Sequence, residues 1–357
     1  MLVNLKNYTK QMFGSKNLLF TNSARSSLQA IVEDFNLKNS EMAIQSFICS
    51  DFFSPFLIQN NIKPILLDSS VRSMNVSLSE IKKKYRQNKK ITSLLIVHTL
   101  GLANPEIENI GKWCKKNKII LIEDCVYSLG VKQKGKYLGT FGDAAVFSFF
   151  KSLNIFLGSL YLRNNGEIKV ATKRYHMNKL DLLRFFKMFK SSNKLIRILS
   201  PVKNNLGVKI VPSKTEILSI PWYVNYFCTS SEKIDLNKRK ETSRYLFNLL
   251  EKEIDNKSLL PPLEESGNFF YSLFLFVKNR ERVYSALVKT GVSCNKRWDS
   301  SLDQDINLSK KWPLYKTPNA RKFSKQIINI LIDPCWSEGY MQKLSKQIST
   351  ILLKFGS

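Results

Sequence analysis

The stretch IILIEDCVYSLGVKQKGKYLGTFGDAAVFSFFKSLNIFLG, residues 119–158, decides the fold. Its first four residues form an apolar run that ends in two acids, the second of which is Asp124. A glycine-punctuated loop follows, and then a second apolar run, 144–149, carries Ser148 and leads to Lys151. Short apolar runs bounded by polar residues predict strands that are buried on both faces of a parallel sheet. An acid after one strand and a lysine after another predict a ligand site at the carboxyl edge of that sheet.

Apolar runs alternate with helical patterns on the amino-terminal side of this stretch. The predicted strands are 43–49, 63–68 and 93–98, and the predicted helices are 51–60, 77–86 and 105–117. Ser77 is a natural N-cap with Glu80 three residues later. Strands that alternate with helices through short connections indicate an α/β fold with a parallel, helix-covered sheet.

The central stretch resembles the pyridoxal-phosphate-dependent sugar aminotransferases of the DegT/StrS family. The matching positions are Ile122-Glu123-Asp124, Ser128, Gly130, Gly135, Gly139, Gly142-Asp143 and Phe147-Ser148-Phe149. The resemblance implies an aspartate-aminotransferase-like fold, also called fold type I, with a mostly parallel central sheet and a smaller C-terminal α/β domain. The expected boundaries are 1–230 for the large cofactor-binding domain and 231–357 for the small one, with a helical insertion at about 167–204.

The resemblance also implies roles for particular residues. Asp124 would pair with the pyridinium nitrogen of pyridoxal 5′-phosphate, which keeps the ring an electron sink, and Lys151 would form the Schiff base. Ser148 matches a serine that binds the cofactor phosphate. Tyr127 stands where relatives have a Gln or His that contacts the ring hydroxyl, and it could make that hydrogen bond or simply pack.

The lysine motif is shifted relative to the family pattern. Counting forward from Phe147-Ser148-Phe149 places the lysine at position 153, which is Leu153. Counting back from Gly158, the remnant of a glycine pair whose second member is Ser159 here, places it at Lys151. A two-residue deletion reconciles the two counts and favours Lys151. The alternative is a site without a catalytic lysine.

A small-residue turn at 23–26 matches the place where relatives hold the cofactor phosphate. Ser23, Ala24 and Arg25 open a predicted helix, and free N–H groups at a helix start bind phosphate. An ordinary Ser N-cap is the competing interpretation. At the next strand end, Cys49 replaces an aromatic residue that stacks on the ring in relatives. Phe47, Phe52 or aliphatic contacts could substitute.

Composition narrows the remaining classes of function. The chain has 357 residues, a formal net charge of +28 and 43% hydrophobic residues, which excludes a disordered protein. The lysines are spread along the sequence and accompany no nucleic-acid motif, so we expect no nucleic-acid partner. The charge fits phosphorylated substrates, an anionic membrane surface or a lysine-biased genome.

The cysteine and histidine content bears on compartment and metals. The six cysteines form no CxxC pair and indicate reduced thiols, and two histidines without a ligand cluster make a metal site unexpected. We see no signal peptide or transmembrane run, so a cytoplasmic location is expected.

Residues 180–199 form a basic amphipathic pattern that the family does not explain. Such a helix lies on anionic membranes, here at the inner membrane face, or packs its apolar face on the domain or a second subunit. Packing is favoured. The motif with which relatives reach the partner's active site, of the type NYRM, is not found in 212–226.

The function predicted from the resemblance is transfer of an amino group from an amino acid, glutamate in most relatives, to a keto-sugar nucleotide for polysaccharide or glycoconjugate biosynthesis. A homodimer is implied as well. The alternative is a catalytically degenerate homologue with a scaffold, regulatory or membrane-surface role. Ala24, Cys49, Leu153 and Ser159 favour that alternative.

Overall fold

A seven-stranded sheet forms the centre of the molecule. The computed structural model describes residues 5–14, 17–71, 73–153, 155, 157–176, 215–220, 236–254, 272–296, 298–333 and 335–356. The strands of the large sheet are β1 Asn17–Thr21, β2 Glu41–Gln45, β3 Lys63–Leu67, β4 Ile91–Val97, β5 Ile120–Asp124, β8 Ala144–Ser148 and β9 Ser159–Arg163. Between β5 and β8 the chain forms a small hairpin of β6 Lys132–Gln133 and β7 Lys136–Tyr137.

The strand order is β1-β9-β8-β5-β4-β2-β3. Neighbours from β8 to β3 pair in parallel, whereas β9 is antiparallel to both β8 and β1. The predicted α/β fold with a mostly parallel sheet is therefore confirmed. The antiparallel strand at 159–163 and the hairpin were not predicted.

Helices cover this sheet and the smaller C-terminal one. They are α1 Leu5–Phe13, α2 Ala24–Asp34, α3 Ser50–Gln59, α4 Leu78–Gln87, α5 Ile107–Lys116, α6 Phe149–Ser152, α7 Leu236–Glu253, α8 Arg280–Lys289, α9 Ile306–Lys311, α10 Pro318–Gln326 and α11 Glu338–Phe355. The Ser77 hydroxyl accepts the N–H of Glu80 at 3.3 Å, which confirms the predicted cap of α4. Among the described helices, none combines the length and apolarity needed to cross a membrane.

The apolar runs of the central strands are buried on both faces. Along β8, Ala145 and Phe147 belong to one core cluster, while Ala144 and Val146 belong to the cluster on the other face. The strands β4 and β5 divide their apolar side chains in the same way. Because both faces must be covered, these strands read as continuous apolar runs in the sequence.

The C-terminal part has its own sheet and core. Its strands are β10 Ser272–Phe276, β11 Cys294–Lys296 and β12 Ile327–Leu331, in the antiparallel order β10-β12-β11. Helices α7, α8 and α11 pack around it in one cluster. The predicted domain boundary at 230–231 lies outside the described residues and stays a prediction.

The chain between β11 and β12 returns to the large sheet. Leu302 donates its N–H to the carbonyl of Ser46 at 3.0 Å, and the Thr317 hydroxyl donates to the Ser46 hydroxyl at 2.7 Å. Leu302 and Leu308 are buried in the same core cluster as α2 and α3. These contacts fix the C-terminal part against the loop that follows β2.

Candidate active site

Four strands bring the predicted site residues to one edge of the large sheet. Strands β4, β5 and β8 are mutually parallel, and β1 has the same direction because β9 is antiparallel to both β1 and β8. Ser159 on β9 lies opposite Thr21 on one side and Ser148 on the other. The start of α2 and the end of β8 are therefore two strand spacings, roughly 10 Å, apart.

Asp124 ends β5 at the middle of this edge. Its side chain is buried, and one carboxylate oxygen, Oδ1, accepts the N–H of Val126 at 3.0 Å. Burial raises the pKa of Asp124 to about 6, although the Val126 N–H acts in the opposite direction. An acid of this kind gains most from a cationic N–H partner, which would restore its charge inside the protein.

Lys151 lies in α6, directly after Ser148 at the end of β8. It is half-buried, and its Nζ is 5.4 Å from the centroid of the Tyr127 ring and 5.4 Å from that of Phe150. Tyr127 belongs to the turn after Asp124 and is 9% exposed. The structure thus brings Lys151 to the turn that carries the acid.

Leu153, the other candidate position for the lysine, has a different environment. Its side chain is fully buried in the core cluster with Phe147 and Phe149, and its N–H donates to the Phe149 carbonyl at 2.8 Å. A side chain at 153 therefore points into the apolar core. This placement supports the two-residue shift, and the role of Lys151 stays a prediction.

The turn after β1 starts α2 with a conventional cap. The Ser23 hydroxyl accepts the N–H of Ser26 at 3.3 Å, so the N-cap interpretation is right. Ala24 opens the helix with a negative φ, so this position needs no glycine. Arg25 is exposed, and its guanidinium carbon lies 5.4 Å from the centre of the Phe52 ring. The first turn of α2 lies at the same edge as Ser148, and its phosphate-binding role stays a prediction.

Ser159, which replaces a glycine of the family pattern, joins a chain of buried hydroxyls. Its Oγ lies 2.9 Å from that of Ser27 and donates to the Phe147 carbonyl at 2.6 Å. The Ser27 hydroxyl is in turn 2.8 Å from that of Thr21. Ser159, although it departs from the family pattern, thus links α2 to β1, β8 and β9 through hydrogen bonds.

Glu123 was quoted in the motif without a role, and the structure supplies one. Its buried carboxylate accepts four N–H groups: Oε1 from Phe141 at 2.7 Å and Gly142 at 2.8 Å, and Oε2 from Gly139 at 2.8 Å and His98 Nε2 at 3.1 Å. The acid therefore holds the glycine loop that leads into β8. The only sequence signal was an acid followed by closely spaced glycines.

His98 is held by hydrogen bonds at both of its ring nitrogens. Its Nδ1 accepts the backbone N–H of Asn104 at 3.1 Å, so the ring proton must be on Nε2, which faces Glu123. In the described residues, one group of possible metal ligands is formed by His98, Glu123 and Cys125. The hydrogen bonds of its histidine and carboxylate already occupy those atoms, so this group does not indicate a metal site.

The aromatic substitutes considered for Cys49 are not equivalent. Phe47 is fully buried, with its ring centroid 5.0 Å from that of Trp298 and 5.7 Å from that of Phe323, so it cannot stack on a cofactor. The suggestion that Phe47 substitutes is therefore wrong, because the returning C-terminal chain covers it. Phe52 packs on Phe56 and near Arg25.

Two sequence predictions fall wholly or mainly on residues outside the described part of the chain. The basic helix at 180–199 lies entirely there, together with most of the insertion at 167–204. Of the segment 212–226, the described part is 215–220.

Comparison with known proteins agrees with this geometry. Residues 5–181 match the model of the DegT/DnrJ/EryC1/StrS aminotransferase family. The chain belongs to this family. The matched region contains all the predicted site residues, from Ser23 to Lys151.

Individual members of the family match at different lengths. The GDP-perosamine synthase of Vibrio cholerae is 33% identical over 134 residues, which cover 33% of this chain and 35% of that protein. The dTDP-4-dehydro-2,3,6-trideoxy-D-glucose 4-aminotransferase of Saccharopolyspora spinosa is 22% identical over 292 residues, 79% of this chain and 72% of that protein. The match to the GDP-perosamine synthase thus spans about a third of its length.

Solved structures of the family share the fold. PseC of Helicobacter pylori, an aminotransferase involved in the biosynthesis of pseudoaminic acid, superimposes with a TM-score of 0.74 at 16% identity. The superposition covers 99% of this chain and 93% of PseC. At this identity the likeness establishes the fold, which is the family's fold type I.

Proposed function

We propose that the protein is a pyridoxal-phosphate-dependent aminotransferase that moves an amino group from an amino acid, with glutamate as the expected donor, to a keto-sugar nucleotide. One observation carries the proposal. A buried acid, Asp124, ends one strand, and a lysine, Lys151, follows the end of the neighbouring strand at the same edge. The relatives named as perosamine synthase and as a dTDP-sugar aminotransferase suggest the class of acceptor.

The residues at this edge fit pyridoxal 5′-phosphate. The cofactor has a basic ring nitrogen, a carbonyl carbon and a phosphate, and each needs a different partner. Asp124 is a buried acid whose raised pKa leaves it in need of an N–H partner. Ser148 and the first turn of α2 offer a hydroxyl and N–H groups for a phosphate. The ammonium of Lys151 supplies the amine between them.

When bound, the cofactor supplies the electron sink for cleavage and formation of C–H bonds next to the transferred amino group. Asp124 would keep the ring nitrogen protonated. The protonated ring nitrogen carries the positive charge that would pair with the buried Asp124 carboxylate. Lys151 Nζ would take up and return the proton during transfer, as a base near the reacting carbon. Tyr127, directly beside Lys151, would orient that amine.

Absorbance spectroscopy followed by borohydride reduction and peptide mapping tests the proposal. The purified protein should acquire a near-ultraviolet or visible band with added pyridoxal phosphate, and reduction should trap the label on Lys151. Lys151→Ala should lose the trapped label, whereas Lys136→Ala, at the opposite edge of the sheet, should keep it. A label on another residue would keep the cofactor but remove Lys151 from its role. The absence of both band and label would favour the catalytically degenerate homologue.

The acceptor can be tested separately from the cofactor. Protein loaded with cofactor should convert more than one equivalent of glutamate to 2-oxoglutarate only when a keto-sugar nucleotide is present to accept the amino group. Product formation with simple keto acids and none with keto-sugar nucleotides would overturn the substrate class while leaving the aminotransferase chemistry in place.

The proposed assembly is a homodimer, as the family resemblance implies, and the absence of a nucleic-acid motif in the sequence argues against a nucleic-acid partner. Analytical ultracentrifugation should give twice the mass of the 41.2 kDa chain. The proposed role of the basic segment 180–199 is to pack within that assembly. The alternative is peripheral contact with an anionic membrane. Co-sedimentation with vesicles that is lost on deletion of 180–199 would establish the membrane contact.

A further inference from the structure

A cavity lies at the opposite, amino edge of the large sheet. It measures about 510 Å³ and lies among α5, the β6–β7 hairpin, the loop before β8 and the residues after β9. Leu121 at the start of β5 and Asp143 just before β8 line it. Because Asp124 and Ser148 end the same two strands, the cavity and the candidate active site are separated by the length of a strand, roughly 16 Å.

Lysines surround this cavity. Lys112, Lys115, Lys134 and Lys136 line it, against two carboxylates, those of Glu108 and Asp143. Glu108 already pairs with Lys112 at 2.7 Å and with Lys134 at 3.7 Å. Asp143 accepts the N–H of Leu121 at 2.9 Å. Within the described part of the chain, no carboxylate lies within salt-bridge distance of Lys115 or Lys136, so the cavity has an excess of positive charge.

Local structure places these lysines together. Glu108, Lys112 and Lys115 follow the i, i+4, i+7 spacing that puts them on one face of α5. On the facing hairpin, Lys134 and Gly135 both have positive φ, 48° and 78°, which makes a two-residue turn of type I′. This turn fixes the register in which Gln133 pairs with Lys136.

The floor of the cavity is preformed. The Asn164 amide donates to the carbonyls of Gly139 and Gly142, both at 2.8 Å, while Glu123 binds the N–H groups of the same loop from the other side. The loop is therefore held from both sides before any ligand arrives. A preformed site loses little conformational entropy on binding.

The floor also has incomplete hydrogen bonds. Gln133 is 5% exposed, and among the described residues neither its Oε1 nor the Oδ1 of Asn164 has a partner. Both oxygens have almost no exposed surface, whereas the side chains of Thr140 and Asn165, which also line the cavity, are solvent-accessible and can bind hydroxyl groups. Phe141 adds an apolar wall, with Lys136 Nζ 4.7 Å from its ring centroid.

We propose that this amino-edge cavity binds a phosphorylated small molecule that also carries hydroxyl groups, such as a sugar phosphate. The ammonium groups of Lys115 and Lys136 bind the phosphate, and the accessible side chains of Thr140 and Asn165 bind the hydroxyls. A volume of about 510 Å³ is in the range of small-molecule sites. The inference is independent of the proposed aminotransferase activity, because it uses none of the residues assigned to that site.

Titration calorimetry of the cofactor-loaded full chain tests the binding, with glucose 1-phosphate as the probe. Wild-type protein should bind it saturably and more tightly than inorganic phosphate, whereas glucose alone should not bind. The double variant Lys115→Glu/Lys136→Glu should bind at least about tenfold more weakly, as expected for the loss of two charge-assisted contacts. The matched control Lys289→Glu/Lys343→Glu makes the same change of charge at exposed positions of α8 and α11 and should stay within about twofold of wild type. Equal weakening in both variants, or no saturable binding, would overturn the proposal.

Hydrogen exchange locates the probe without any variant. Glucose 1-phosphate should slow exchange in residues 132–142 and leave residues 23–27 unchanged. Lys151→Ala should retain this protection even though it loses the proposed cofactor linkage. Protection confined to 23–27 and 148–151 would place the probe at the candidate active site and so refute the amino-edge cavity.

Discussion

The Nε2 atom of His98 lies 3.1 Å from Oε2 of Glu123, and neither side chain has any exposed surface. This contact joins the end of β4 to the glycine loop before β8, because the same carboxylate also binds three backbone N–H groups of that loop. Glu123, the residue before Asp124, thus holds the elements on both sides of β5: the end of β4 and the loop before β8. The Glu123 carboxylate therefore supports the strand ends that carry the candidate active site.

Replacing Glu123 with Gln tests this support. A glutamine can accept two N–H groups at its oxygen, but its own NH₂ would then face two further donors. We expect a loss of about 2 to 4 kcal/mol in the free energy of unfolding, because buried donors lose their acceptor. Urea unfolding measures the loss, and Glu167→Gln, at an exposed position, should change stability by less than about 0.5 kcal/mol. Similar small effects for both variants would show that the four hydrogen bonds contribute little.

Asp124 should make the cofactor-free protein less stable as the pH rises. Its pKa is about 6 in the folded chain against 3.8 for the ordinary group, so the folded state binds this proton more tightly than the unfolded state. The resulting contribution is complete below about pH 4 and is lost as the pH rises through about 6. Asp124→Asn removes the titration. At pH 7 the variant should therefore be more stable than wild type by about 1 to 3 kcal/mol.

Urea unfolding of both cofactor-free proteins at pH 4.5 and pH 7 measures this difference. The advantage of Asp124→Asn should shrink at pH 4.5, and Asp299→Asn, at an exposed position, should show no such trend. An equal difference at both pH values would mean that Asp124 does not titrate in this range. Added pyridoxal phosphate should stabilise wild type more than the variant, since the charged acid is the proposed partner of the ring nitrogen.

The sequence predicted what depends on local pattern and missed what depends on distant partners. The strands around Asp124 and the cap at Ser77 were found because apolar runs and capping residues are local signals. The strand at 159–163 was missed because its direction depends on pairing with β1 and β8. Phe47 could not be excluded as a substitute for Cys49 for the same kind of reason, since Trp298, which covers it, comes from the other end of the chain.

In the candidate site, too, the residues with a local sequence signal were predicted and those defined by distant partners were not. The family motif singled out Asp124, Ser148 and Lys151, and the structure places them at one sheet edge. The role of Glu123 could not be predicted, because three of its four partners are backbone N–H groups that carry no residue signature. The amino-edge cavity was invisible for a similar reason: its lysines come from a helix and a hairpin, and they stand out from a lysine-rich sequence only once the chain is folded.

A buried ion pair connects the end of α2 to β9. Asp34 accepts hydrogen bonds from the side chains of Arg163 and Tyr161 and from the N–H of Lys169. Burial alone would raise the pKa of Asp34, but these hydrogen bonds and the charge of Arg163 outweigh it and hold the pKa below its ordinary value. Asp34→Asn should cost about 2 to 4 kcal/mol at pH 7, because it leaves the mostly buried guanidinium uncompensated.

The contribution of Asp34 to the free energy of unfolding changes with pH in the opposite direction to that of Asp124. A lowered folded-state pKa gives stability that is present above about pH 4 and is lost as the pH falls further. Thermal unfolding at pH 3 and pH 7 should therefore show a smaller difference between wild type and Asp34→Asn at the lower pH. A difference that is unchanged at pH 3 would show that the effect of Asp34 comes from packing and not from its charge.

Asp68, at the end of β3, caps a helix that begins 250 residues later in the chain. Its two carboxylate oxygens accept the N–H groups of Asn319 and Ala320 in the first turn of α10, at 3.1 and 2.9 Å. Thr317 is the N-cap residue by position, but its hydroxyl donates to Ser46 instead. Asp68→Ala should therefore cost about 1 to 2 kcal/mol, the usual value of a lost N-cap. Asp68→Asn keeps one acceptor oxygen and should lose less.

Hydrogen exchange separates this cap from a general loss of stability. In Asp68→Ala, exchange should accelerate first at Asn319 and Ala320, while the amides of β12 keep their protection, because the affected contact holds the returning chain and not the small sheet. Asp333→Ala, at the far end of the small sheet, is the matched control and should leave these two amides unchanged. Equal acceleration in β12 and α10 would show that the C-terminal part opens as one unit and that Asp68 is not a local clamp.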